Sequence, residues 1–185
     1  PPADRNLLSG TGQGGVALPL PSTTGHLIQG NYIGPDVTGT VALAPSTAEG
    51  LIVVANASVL DNLVSGNAEG GMSLLDNNIV RGNLIGTQRD GTSPLPNGNF
   101  GGISISGSGS TIGGSVAGQG NVIAFNVNNG IAINLNVSSD RISQNSIYSN
   151  TSLGISLQNG SGAPLANDAL DSDTVFGNHG QNYPV

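Results

Sequence analysis

Residues 62–74 read "NLVSGNAEGGMSL". An apolar pair follows the first Asn, then glycines and asparagines interrupt where a strand or helix would continue. The string recurs as "NLLSGTGQGGVAL" at 6–18 and "NVIAFNVNNGIAI" at 121–133, and in each copy a Gly (Gly15, Gly71, Gly130) stands nine positions after the first Asn. An apolar-x-apolar triplet closes every copy. The Gly-apolar-x-apolar phrase appears six times: "GVAL" 15–18, "GLIV" 50–53, "GMSL" 71–74, "GISI" 102–105, "GIAI" 130–133 and "GISL" 154–157. A second phrase sets an apolar pair before an Asn, as in "HLIQGNYIG" 26–34, "NIVRGNLIG" 78–86 and "DRISQNSIY" 140–148. Residues 31–53 also match 83–105 at a constant offset of 52, pairing Asn31 with Asn83, Gly39 with Gly91 and Leu43 with Leu95.

Repeats of this kind point to stacked supersecondary units. The segments are short and have period 2: "GISIS" sends Ile103 and Ile105 to one face and Ser104 and Ser106 to the other. Gly, Asn and Ser interrupt every stretch long enough for a helix. Strands of three to five residues can instead pair with equivalent strands one coil away, about 4.8 Å along an axis. Asn and Gly tolerate the left-handed backbone that corners need, which assigns Asn62, Asn67, Gly70 and Gly71 to turning the chain and Leu63, Val64, Met72 and Leu74 to the core or its margins. Stacked Asn side chains can bond to one another and to corner backbone. The steps between Gly phrases are 35, 21, 31, 28 and 24 residues, so the 21-residue step is the bare coil. The expectation is an all-β fold: one parallel β-solenoid of about six coils over 1–160, with an acidic capping tail over 161–185. Residues 35–49 and 87–101 form the two largest outward loops, in the same register two coils apart, and 112–120 a smaller one.

Composition narrows function. The chain has 185 residues, net charge −7, no Cys, no Lys, 30 Gly and 22 Asn, and aromatics are only 3%. Without Cys there is no disulfide or thiolate chemistry. Nucleic acid needs a basic footprint, and four Arg do not supply one. No apolar run reaches about 18 residues, so membrane insertion is not expected.

The phrases "NNIVRGNLIG" (77–86) and "STIGGSVAGQGNVIAFN" (110–126), with the closing "NSIYSNTSLGISLQNG…NDALDSDT…GQNYPV" (145–185), resemble those of bacterial right-handed parallel β-helix repeat proteins. These are typically modules of large exported or surface proteins. The resemblance spans nearly the whole chain and implies the pectate-lyase-like superfamily fold, with an extracellular or cell-surface location. It also reads "PPADRNLL" (1–8) as the same phrase as "GGSVAGQGNVI" (113–123) with its leading "IGG" missing, which places the first residue inside a repeat, by trimming or maturation, with any export signal outside this stretch.

Enzymes with this fold use clustered carboxylates, or Ca²⁺ with a basic residue. Here the carboxylates of the coil region are scattered, and "NHG" (178–180) and "RIS" (141–143) are only fragments of the strings found in galacturonan hydrolases. "GTGQGG" (10–15) lacks the helix and Lys of a phosphate-binding loop. His26 aligns with Asn78 and Asp140 as a corner residue, which argues against a Ser-His-Asp triad. The expected function is therefore a non-enzymatic structural module: a rigid stalk or adhesin, or a filament subunit associating through the helix ends. The alternative is a polysaccharide-active or polysaccharide-binding β-helix. Binding of a surface glycan or protein is placed on the two aligned loops, at Asp36, Thr38 and Thr40 in the first and Gln88, Arg89, Asp90 and Thr92 in the second. The tail carries "NDALDSD" (167–173), where Asn167, Asp168, Asp171 and Asp173 offer oxygen ligands for a structural Ca²⁺. No cofactor is required by this reading.

Overall fold

The computed structural model describes residues 5–18, 25–43 and 49–157. Its strands, numbered along the chain, fall into three all-parallel sheets. Sheet A stacks β1 (Leu7–Leu8), β4 (Tyr32–Ile33), β7 (Leu63–Val64), β10 (Leu84–Ile85), β13 (Val122–Ala124) and β16 (Ser146–Tyr148). Sheet B stacks β2 (Val16–Ala17), β5 (Leu51–Ala55), β8 (Met72–Asp76), β11 (Ile103–Ile105), β14 (Ile131–Ile133) and β17 (Ile155–Leu157). Sheet C stacks β3 (Leu27–Gln29), β6 (Ser58–Leu60), β9 (Ile79–Arg81), β12 (Thr111–Gly113) and β15 (Arg141–Ser143). The chain visits the three sheets in turn and returns one coil further on, which is an all-β parallel solenoid of six coils.

Register follows the repeat phrases. Met72, Ile103 and Ile131 pair across neighbouring coils, as do Leu74, Ile105 and Ile133. These two rows face inward and are buried. Sheet A adds Ile33, Val64, Ile85 and Ile123, and sheet C adds Ile28, Val59, Val80 and Ile112, to one continuous apolar core. Each fully buried aliphatic side chain contributes about 1.5–3 kcal/mol relative to exposure, so the rows supply the main drive for coiling.

The corners divide their labour differently from the sequence expectation. Asn62 and Asn67 do not take the left-handed conformation; the residues just before them, Asp61 (φ 55°) and Gly66 (φ 72°), do. The same offset recurs with Gly30 before Asn31, Gly82 before Asn83, Gln144 before Asn145 and Phe125 before Asn126. The left-handed residue reverses the chain, and the Asn that follows points inward from the corner. Gly70 and Gly71 likewise turn nothing by positive φ. Gly71 belongs to a column with Gly15, Gly50, Gly102 and Gly130 in which adjacent coils approach too closely for a Cβ. At Gly102 an added Cβ would lie 2.6 Å from the Gly130 carbonyl oxygen and 2.8 Å from Ile123 Cγ2. The recurring Gly is thus a packing requirement set by the last apolar residue of sheet A and by backbone one coil away.

This contact makes a direct prediction. Gly102→Ala is expected to destabilise the fold by about 1–3 kcal/mol through overpacking, read as a lower denaturation midpoint. Gly12→Ala, where an added Cβ meets no atom within 4 Å and φ is not positive, is expected to leave the midpoint unchanged.

Candidate functional site

The two long loops begin identically. In each, a short hairpin closes with an antiparallel bridge, Pro35 to Ala42 in the first and Thr87 to Pro94 in the second. Asp36 N donates to Val41 O and Leu43 N to Gly34 O, and 52 residues later Gln88 N donates to Ser93 O and Leu95 N to Gly86 O. The offset seen in the sequence is therefore conserved bond by bond. Each hairpin is tightened by one carboxylate, drawn from a different position. Asp36 accepts from Thr38 Oγ1 (2.8 Å), Thr40 N (3.1 Å) and Val41 N (3.2 Å). Asp90 accepts from Thr92 N (2.9 Å), Ser93 N (2.8 Å) and Ser93 Oγ (2.6 Å). Desolvation pushes the Asp36 carboxyl up, but the hydrogen bonds from Thr38, Thr40 and Val41 together hold it below the ordinary value. Hydrogen bonds from Ser93 and Thr92 hold Asp90 at about 2.

The structure brings the two sets of loop residues together, because Arg89 N donates to Gly39 O (3.0 Å) across β7. It also shows what the loops cover. Tyr32, Leu63 and Leu84 form the outward row of sheet A, opposite the inward Ile33, Val64 and Ile85. Gly39 sits on that row so closely that a Cβ there would lie 2.8 Å from the Tyr32 ring and 3.0 Å from Leu63 Cδ2. Leu63 is only 2% exposed although it points away from the solenoid interior. The Arg5 guanidinium lies 4.2 Å from the centre of the Tyr32 ring. At the far end the Tyr148 hydroxyl donates to Gly91 O (3.1 Å), and its ring meets Phe125 edge-on at 5.6 Å. The hairpins are a roof over sheet A. Asp36, Thr38, Thr40, Asp90 and Thr92 all take part in holding its shape, while Gln88 Nε2 reaches Pro94 O at 3.5 Å.

Three Asn or Asn-like columns run beneath the corners. Asn6, Asn31, Asn62, Asn83, Asn121 and Asn145 form one, each Nδ2 donating to the next Oδ1 at 2.8–3.1 Å. Asn67, Asn97, Asn126 and Asn150 form the second, linked at 2.9 Å throughout. At the third corner, Ala57 N donates to Asn78 Oδ1, Asn78 N to Ser110 Oγ and Ser110 N to Asp140 Oδ1. His26 precedes Ala57 in this column, since it sits one residue before β3 as Ala57 does before β6. Asp140 departs from the rule: its Oδ2 is buried and has no hydrogen-bond partner among the described residues. Burial raises its carboxyl above the ordinary value; the bond from Ser110 N opposes this and the Asp76 carboxylate adds to it.

A groove of about 390 Å³ opens on the outer face of sheet B. Its floor is Ser73, Ser104 and Ala132, three consecutive residues of one stacked row. Glu49, Asn99, Phe100, Asn128 and Asn129 form one side, and Ser106 and Asn134 the other. Ser73 Oγ donates to Glu49 Oε1 (2.9 Å), and Asn134 Nδ2 donates to Ser106 Oγ (2.7 Å). Phe100 is 54% exposed. Sequence reasoning passed over this groove because it looked for function in breaks of the repeat. The signal was within the repeat: the x of "GMSL", "GISI" and "GIAI" is small in three successive coils.

The Ca²⁺ ligands proposed at Asn167, Asp168, Asp171 and Asp173 lie outside the described residues, as does His179. Among the described residues no three His, Cys, Asp or Glu side chains gather as a metal site, and no helix is long and apolar enough to cross a membrane. No family model, curated protein or solved structure matches the chain.

Asp140 yields a pH prediction. A carboxyl whose folded-state pKa is raised binds its proton more tightly when folded. It therefore penalises the fold at neutral pH, and the penalty fades as pH falls through the raised value towards the unfolded-state value of about 3.9. Asp140→Asn is expected to raise the melting temperature at pH 7, with the gain over the wild-type chain shrinking as pH approaches about 4.

Proposed function

We propose that this chain is a non-enzymatic structural module of the extracellular or cell-surface space, a rigid β-helical stalk that presents a binding face. The observation that carries this reading is the unbroken column of six Asn side chains joining all six coils along the axis. Backbone ladders alone make a solenoid only as stiff as its nearest-neighbour interfaces. Here buried amides cross every one of those interfaces as well, and two bonded hairpins brace one side. The devices that interrupt the repeat thus reinforce the rod. The resemblance of the repeat phrases to bacterial exported β-helix modules supports the same placement.

The purified chain is expected to sediment as a monomer with a concentration-independent coefficient and to show no fibres in negative stain. Fibres that lengthen with protein concentration would move the assignment to a filament subunit stacking end to end. Turnover of a polyuronate by the purified chain would overturn the non-enzymatic reading.

A further inference from the structure

We propose that the Asn129–Gly130 bond is a latent self-modification site, closed by the backbone of Leu153 and opened when the coil that carries Leu153 peels away. This does not depend on the stalk assignment. An Asn side-chain amide is most readily attacked by the next backbone nitrogen when Gly follows, because Gly sets no Cβ in the way. The pair occurs at 97–98, 129–130 and 159–160, and the first two lie among the described residues.

The reaction needs no co-reactant but water. Gly130 N gives its proton to solvent base and attacks Asn129 Cγ. The new N–C bond closes an imide ring, the Cγ–Nδ2 bond breaks, and the amide nitrogen takes up a proton and leaves as ammonia. Water then adds to either imide carbonyl and opens the ring to an aspartyl or isoaspartyl link. Water enters, ammonia leaves, and nothing is oxidised or reduced.

Both described pairs are clamped in the same way. Asn67 N donates to Asn97 Oδ1 (3.2 Å), and Asn67 O accepts from Gly98 N (2.8 Å). Leu153 N donates to Asn129 Oδ1 (3.2 Å), and Leu153 O accepts from Gly130 N (2.9 Å). One backbone residue thus pins the amide under attack and occupies the attacking N–H. The main-chain carbonyls of the two Asn are also held alike, Asn97 O by Val127 N and Asn129 O by Gly102 N.

The pairs differ in what stands behind the clamp. Asn97 is fully buried, its Nδ2 is spent on Val64 O and Asn126 Oδ1, and its clamp Asn67 is 4% exposed. Asn129 is half-buried, and its Nδ2 meets no acceptor among the described residues. Residues 151–155 are all exposed, Leu153 at 39%. Local opening costs least where backbone hydrogen bonds are exposed and most in the core, so the Leu153 clamp opens far more often than the Asn67 clamp. Closure after reaction is blocked. An isoaspartyl link adds a methylene to the main chain beside Gly130, where even a Cβ would lie 2.6 Å from Gly154 O. β14 and β17 then cannot pair again in register, and the modification records the opening permanently.

The test is peptide mass spectrometry of the full 185-residue chain after incubation in mildly alkaline buffer, folded and in urea, reading amide-to-carboxyl conversion at each pair. In urea Asn97 and Asn129 are expected to convert at similar rates. In the folded chain Asn129 is expected to convert at least about tenfold faster than Asn97, and at least about tenfold more slowly than in urea. Leu153→Pro, which deletes the N–H on Asn129 Oδ1, should speed conversion at Asn129 about tenfold and leave Asn97 unchanged. If that variant unfolds, Asn97 accelerates as well, and native-state hydrogen exchange of the unaltered chain decides: Gly130 N–H should exchange at least about tenfold faster than Gly98 N–H. The proposal is overturned if Asn129 in the folded chain stays as intact as Asn97, if it converts as fast as in urea, if a folded Leu153→Pro chain converts at the wild-type rate, or if the two Gly amides exchange alike.

Discussion

The structure depends on what one buried Asn side chain can do that its near relatives cannot. Asn83 is fully buried and satisfies every polar atom of its amide. Its Oδ1 accepts from the backbone N–H and the Nδ2 of Asn62, one coil back. Its Nδ2 donates to Asn121 Oδ1, one coil forward, and to the Val59 carbonyl in the middle of the preceding coil's sheet C strand, β6. One side chain therefore bridges three coils and closes the corner backbone that the sheets leave unpaired. Such a network is stabilising only when complete, because a buried polar group without a partner costs about 1–3 kcal/mol. Ser has too few donors, Asp has none when ionised, and Gln is one methylene too long. Asp140 shows the consequence at the third corner, where a carboxylate oxygen occupies the second amide position and finds no described partner.

Much of this was legible in the sequence. Period-2 triplets after a fixed Gly gave the sheet B rows, and the constant offset of 52 gave two equivalent hairpins whose backbone bonds agree one for one. The corner assignment failed by one residue. Left-handed backbone and ladder side chain are adjacent, at Asp61 and Asn62 or Gly66 and Asn67, and the sequence shows only that small polar residues cluster there. The Gly column was read as conformational freedom, whereas its cause is three-dimensional: the neighbouring coil's carbonyl and the sheet A isoleucine. Neither is visible along one chain segment.

The loops illustrate a different limit. Their existence and shared side were readable from length, but their direction was not. The clue lay in sheet A itself, whose strands are apolar at both positions, as in Tyr32–Ile33, Leu63–Val64 and Leu84–Ile85. A strand apolar on both faces is covered on both faces, and the hairpins are the cover. Polar residues nominated there for binding, Asp36 and Asp90 above all, are engaged in keeping the cover folded. The open concavity instead lies over the small x positions of the repeat, so scaffold and candidate binding face are the same stretch of chain. "NLVSGNAEGGMSL" supplies a ladder Asn at each corner, a roofed Leu63, and Ser73 on the groove floor.

The buried amides, through both of their Nδ2 hydrogens, hold the coils together. Chemical denaturation of Asn83→Asp at pH 7 and at pH 4 tests this most directly. The substitution keeps size and shape but sets an acceptor against Val59 O and Asn121 Oδ1. A loss of about 3–5 kcal/mol is predicted at pH 7. Protonation restores one donor, so the new carboxyl's folded pKa is raised and the loss should shrink as pH falls towards 4. A variant within about 0.5 kcal/mol of wild type at pH 7, with no dependence on pH, would contradict the account.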